Sequence, residues 1–232
     1  MEWITDLFHQ LRDALNPKLI IEMLLAKGGI FVYFGLIFIV FAETGLAVGF
    51  FLPGDSLLVV AGLFAATGKL NLAILLSTLF VAAVVGDAVG YYTGLRLGPR
   101  LFKRQKSILF RPSHLQKAHA FYEKYGGKTI IIARFVPIVR TFAPIVAGAA
   151  QMPYRRFVVF NVVGGFLWVF SMLLSGYFLG NILKSRFGID LDEHIEWVVI
   201  VVVALSLLPA VIEYLKSRRE KARRAQASNV EA

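Results

Sequence analysis

Residues 130–148 would read as a membrane span were it not for two arginines and two prolines set inside them, Arg134, Pro137, Arg140 and Pro144. On the scale for inserting side chains into a bilayer, the ten Ile, Val and Phe residues of this run gain roughly 3–6 kcal/mol, whereas two arginines at mid-span cost roughly 5–7 kcal/mol. Prolines further disrupt a continuous helix. Charge and broken backbone are tolerated at membrane depth where they are buried in protein or line a wet cavity. The pattern therefore predicts a broken, re-entrant segment, and the rest of the chain must supply its shelter and counter-charge.

The composition supports a membrane setting. Hydrophobic residues make up 57% of the 232, and the mean hydropathy is +0.68, too apolar for a soluble domain and long enough for one membrane bundle. The net charge of +10 comes largely from basic clusters beside apolar runs, the distribution of membrane topology rather than of nucleic-acid binding. The chain has no cysteine, which excludes disulfides and thiolate chemistry. Residues 1–16 carry Glu2 and Asp6 early and space Trp3, Leu7, Leu11 and Leu15 at helical intervals. They are expected to form an amphipathic helix, on the membrane or on the bundle, rather than a cleaved signal.

Four full spans are expected, over about residues 28–49, 72–95, 157–182 and 197–215. The first carries Glu43. It is followed by the turn-forming Pro53-Gly54-Asp55-Ser56 and an apolar run over 57–66 that is too short to cross, which predicts a re-entrant half-helix starting at Asp55. In the second span Gly86, Gly90 and Gly94 recur every four residues on one helix face, the spacing of close helix packing, with Asp87 beside them. Residues 96–128 hold nine Lys or Arg against one acid, Glu123, with a second surface helix expected after Pro112.

Basic segments stay on the cytoplasmic side. Segment 96–128, Arg155-Arg156 and the tail from Lys216 are basic, and the loop 184–196 is acidic, so both termini are expected in the cytoplasm. The two broken segments, about 51–66 and 129–150, then enter from opposite faces. Each combines a proline break, a charge and a run ending Val-Ala-Gly or Val-Val-Ala-Gly, which points to inverted repeats. The expected fold is thus an all-α polytopic membrane protein, with an amphipathic segment 1–27, a transmembrane domain 28–215 and a basic tail 216–232.

Intramembrane charges carry whatever chemistry the chain has. Arg134 and Arg140, with planar bidentate guanidinium groups, suit a phosphate headgroup, and Glu43 and Asp55 suit proton coupling or gating. Asp87, Pro53, Gly54, Pro137 and Thr141 are expected to support them. The same charges can also pair off as structural ion pairs. His9, His114, His119 and His194 show no ligand spacing, so no metal or other cofactor is expected. Trp168 and Trp197 read as packing or interface residues. No nucleophile motif is present, so the chain is not expected to be an enzyme.

Four motifs together, Phe41-Ala42-Glu43-Thr44-Gly45, Phe51-Leu52-Pro53-Gly54-Asp55, Gly86-Asp87-Ala88-Val89-Gly90-Tyr91 and the stretch from Arg134 to Thr141 with Ala147-Gly148, make residues 28–183 resemble the DedA family of bacterial inner-membrane proteins, which carry the SNARE-associated or VTT-type domain. The resemblance implies a lipid transporter, linked to undecaprenyl phosphate recycling or phospholipid movement and often dependent on the proton-motive force. Eukaryotic relatives look like scramblases. The family's important acids and arginines fall on Glu43, Asp55, Arg134 and Arg140. The leading expectation is a proton-coupled flippase of undecaprenyl phosphate or a related anionic phospholipid in the bacterial inner membrane. Its partners would be that lipid, bilayer lipids and protons, with no nucleic acid, and homo-oligomers are allowed. The alternatives are a scramblase, a proton-coupled exporter of small cations or drugs, and a non-transporting scaffold for envelope assembly and division.

Overall fold

A computed structural model describes residues 16–46, 54–101 and 127–188, and these are helical throughout apart from short connections. In chain order the helices are α1 (Pro17–Ala26), α2 (Gly29–Gly45), α3 (Gly54–Ala66), α4 (Leu72–Leu101), α5 (Lys128–Ala133), α6 (Pro137–Ala149) and α7 (Tyr154–Phe187). Local signals set several ends. Asn16 caps α1 by accepting from the Lys18 N–H at 3.1 Å, with Pro17 in the first turn. α7 stops at Gly188, whose φ of +61° closes the helix after Lys184 and Arg186 in its last turn.

Among the described residues, two helices are long and apolar enough to cross a bilayer, α4 over Leu72–Gly98 and α7 over Tyr154–Phe187. They expose large apolar side chains, Val81 and Val85 from α4 and Val159 and Phe166 from α7, as does α2 with Phe34 and Phe38. Such an outward apolar surface around a packed interior is what a bilayer solvates. By contrast α3 is buried almost all round, with Leu57, Leu58, Val60 and Leu63 each 0% exposed, and it forms the centre of the main core with Leu36, Val40, Leu75, Leu79, Trp168 and Leu173. At 13 residues each, α3 and α6 are about 20 Å long, against a hydrocarbon core of about 30 Å. These are the half-length helices that the broken segments predict.

The most extensive interfaces are α3 on α7 and α6 on α4. Each half-length helix packs on the long helix of the other half of the chain. The contacts are reciprocal: a methyl group on Gly62 would overlap the Leu173 carbonyl and one on Gly176 the Val59 carbonyl, while Gly148 faces the Tyr91 carbonyl and Gly94 the Ile145 carbonyl. Small residues let the backbones approach to this distance. The Gly86, Gly90 and Gly94 face of α4 works the same way, with Gly86 against Thr44 and Gly45, Gly90 against Pro144 and Gly94 against α6.

Several expectations need adjustment. α2 ends at Gly45, with Leu46 already extended, so Glu43 lies in its last turn rather than inside a span reaching residue 49; Gly45 is held there by its close approach to Gly86. α4 continues past residue 95 to Leu101, and α7 starts at Tyr154 and ends at Phe187, both longer than expected. The break in the arginine segment comes at Arg134, Phe135 and Val136, before Pro137 opens α6. Pro144 sits inside α6 without ending it, because it removes only one bond, that to the Arg140 carbonyl, and α4 braces the helix. The amphipathic helix at 1–16, Pro53, the surface helix after Pro112, most of the acidic loop, the fourth span and the basic tail lie wholly or in large part outside the described residues.

Candidate functional site: two arginine centres

Both arginines are buried where the helices meet, and each is held by acids from other elements. Arg140 stands in the first turn of α6, where its N–H bonds the Val136 carbonyl at 3.0 Å. Its Nη2 donates to Glu43 Oε1 at the end of α2, and its Nη1 donates to Asp55 Oδ1 at the start of α3. One guanidinium therefore ties the ends of three helices. The Glu43 carboxylate lies against Gly54, where any Cβ would overlap it, so it sits over the first turn of α3, whose dipole favours an anion. Glu43 is 1% exposed, whereas the Asp55 side chain keeps 24% of its surface.

Trp168, from α7, completes this centre. Its indole Nε1–H donates to the same Asp55 Oδ1 at 2.8 Å, and its ring lies 4.8 Å from the Arg140 guanidinium carbon, a cation–π contact. The Arg134 guanidinium stands 6.0 Å from the same ring.

Arg134 follows α5 and has partners of its own. Its Nη2 donates to Asp87 Oδ2 on α4 and to Asn161 Oδ1 on α7, and Asn161 in turn donates from Nδ2 to the Val84 carbonyl at 3.0 Å. Gly164 and Gly165 make room for it: a Cβ on Gly164 would come within 3.1 Å of Arg134 Cδ. Both side chains of the Arg134–Asp87 pair are 4% exposed. Thr141 is buried one residue after Arg140.

Arg134, Arg140, Glu43, Asp55, Asp87 and Gly54 are thus brought to one region, in a pairing that residue types could not specify. Asp87, expected in a supporting place, is the direct partner of Arg134. Asn161 is a further member of the site, and an amide inside an apolar span, one of two in α7, is a signal the sequence carries. Trp168 belongs to the site rather than only to packing. Pro53 lies outside the described residues. Three carboxylates face two guanidinium groups, and the Nε–H groups of Arg134 and Arg140 are buried without an acceptor among the described residues.

Residues 52–178 match the model of the VTT domain. The chain is 46% identical over 224 residues to protein DedA of Escherichia coli K12, covering 95% of this chain and 100% of that one. The chain belongs to the DedA family. It is also 41% identical over 189 residues to an uncharacterized membrane protein of Mycobacterium leprae, covering 82% of both chains, and 40% identical over 188 residues to the inner membrane protein YqjA of E. coli K12, covering 78% of this chain and 80% of that one. No solved structure matches. Both arginine centres draw their charged residues from this chain between Glu43 and Arg140, largely inside the matched domain.

Proposed function

We propose that this protein is a lipid-phosphate transporter of the bacterial inner membrane, moving an anionic headgroup past Arg140 while the lipid tail stays in the bilayer. The observation that carries the reading is the sharing of one buried guanidinium by Glu43 and Asp55 at the meeting point of two half-length helices. Half-helices that meet at mid-membrane are where transporters bind their substrates. In this reading α3 enters from the outside and α6 from the cytoplasm, as inverted repeats, with both chain termini cytoplasmic.

The chemistry follows from charge balance. A phosphate reaching Arg140 has the partly exposed Asp55 as its competitor, and guanidinium binds either oxyanion in a bidentate fork. Once displaced, a carboxylate in a site of low dielectric is stabilised by taking up a proton, so substrate entry and proton uptake occur together. Glu43, held over α3, is the second proton carrier. The balanced Arg134–Asp87 pair braces the helices behind this site, and the YqjA relative, itself named an inner membrane protein, supports the placement in that membrane.

The experiment is headgroup translocation in proteoliposomes, comparing undecaprenyl phosphate with phosphatidylglycerol, with and without a pH gradient, for wild type and Arg140→Ala. Selective, gradient-dependent movement that Arg140→Ala abolishes is the expected result. Movement of both lipids without a gradient would make the protein a scramblase. Normal transport by folded Arg140→Ala would refute the assignment of the site.

A further inference from the structure

We propose that Trp168 is a positioning residue for transport: it keeps Asp55 in place when Arg140 lets it go. The inference rests on the reading of Arg140 as the phosphate ligand. It comes from which contacts lie within the interlocked helix pairs and which run between them. Asp55 and Trp168 belong to α3 and α7, one of the two most extensive interfaces, locked by Gly62 against Leu173 and Gly176 against Val59. Arg140 belongs to α6, which is locked on α4 by Gly148 and Gly94. The bond from Trp168 to Asp55 therefore lies inside one pair, whereas the bond from Arg140 to Asp55 runs from one pair to the other.

This arrangement assigns different fates to the two bonds on Asp55 Oδ1. Any small parting of the pairs, or any anion arriving at Arg140, breaks the ion pair and leaves the indole bond intact. Asp55 then keeps one donor while it is without its cation, and the cost of releasing it falls. Trp168 also faces Arg140 with its ring at 4.8 Å, so when an anion displaces Asp55 with the pairs still closed, the guanidinium keeps a partner that does not compete with phosphate. A side chain that only filled space would have no need to aim its single polar atom at the one site carboxylate that keeps surface exposure.

The test is a double-mutant cycle read by equilibrium binding of radiolabelled farnesyl monophosphate to the full chain in detergent micelles. Trp168→Phe keeps an aromatic ring and removes the N–H, and it is expected to weaken binding about 10-fold, the size of leaving a displaced carboxylate without a donor. Asp55→Asn removes the competing anion and tightens binding, and in that background Trp168→Phe changes affinity less than about 2-fold, since the two residues act through one bond. An equal loss in both backgrounds, or no loss in either, overturns the proposal.

Arg140→Ala is measured alongside. If it abolishes binding while Trp168→Phe has no effect, the role of Trp168 fails and the phosphate reading stands. If Arg140→Ala binds normally, both fail. Should Trp168→Phe not yield folded protein, Trp3→Phe with Trp197→Phe leaves Trp168 as the sole indole. Farnesyl monophosphate must then change its emission with Arg140 present and not in Arg140→Ala, and unchanged emission overturns the proposal.

Discussion

Arg134 and Arg140 lie six residues apart in one broken segment, yet their surroundings differ in the ways that decide what a buried charge can do. Arg134 has one carboxylate, one amide that is itself anchored to backbone, and partners that are almost wholly enclosed. Arg140 has two carboxylates for its one charge, and one of them, Asp55, keeps contact with the exterior. The first is balanced and closed, the second over-supplied with anion and open. A balanced, closed pair holds helices together, whereas an over-supplied, open one can exchange a carboxylate for another oxyanion. The difference teaches that burial alone does not separate structural from functional charges; the number of competing partners does.

The largest effect expected from breaking this comparison is on Arg134. Arg134→Ala strands Asp87 and should destabilise the fold by about 3–5 kcal/mol, the cost of removing one member of a buried pair. It would show as a large drop in thermal midpoint and poor recovery of monodisperse protein. Replacing both partners, Arg134→Met with Asp87→Leu, should recover most of that loss, and a double variant as unstable as the single one would mean that the pair is not merely a clamp.

The helix locks come next. Gly62→Ala and Gly148→Ala each push a methyl group into a facing carbonyl and should cost about 1–3 kcal/mol apiece. Because the two contacts are reciprocal, similar losses are expected in thermal unfolding. A loss confined to one would break the equivalence of the halves.

Arg140→Gln should be milder for stability than Arg134→Ala, about 1–2 kcal/mol, because Asp55 can reach water and the glutamine amide still offers a donor to the carboxylates. Its effect on transport should nevertheless be complete, as measured in proteoliposomes. A stability loss as large as that of Arg134→Ala would erase the distinction between the centres. Asn161→Ala, which loses its bonds to Arg134 and to the Val84 carbonyl, should cost about 1–2 kcal/mol, again read from the thermal midpoint, and has the smallest effect on function, with transport retained.

Much of this was legible in the chain because intramembrane charge is so expensive. Arg134 and Arg140 inside an apolar run, and Glu43 and Asp55 beside glycine and proline breaks, mark a sheltered site before any coordinates are known. The matching runs ending at Gly62 and Gly148 likewise mark the two half-length helices. What stayed hidden were relations rather than residues. Three acids and two arginines can be paired in several ways, and nothing local assigns Asp87 to Arg134. That each half-length helix packs on the long helix of the opposite half is a tertiary fact with no linear trace. Trp168 was obscured for a different reason, since a tryptophan in an apolar span has the same sequence signature whether its indole N–H meets a carboxylate or nothing at all. Pro144 misleads because its effect on a helix depends on what braces it.

The most direct measurement of the central claim is proton uptake when undecaprenyl phosphate is added to the weakly buffered, purified protein, followed with a pH-indicator dye. If phosphate takes Arg140 from Asp55, wild type should bind the lipid with net uptake of protons, and Asp55→Asn should bind it with uptake largely lost. Saturable binding with no uptake in wild type, or the same uptake in Asp55→Asn, would contradict the exchange of carboxylate for phosphate at Arg140.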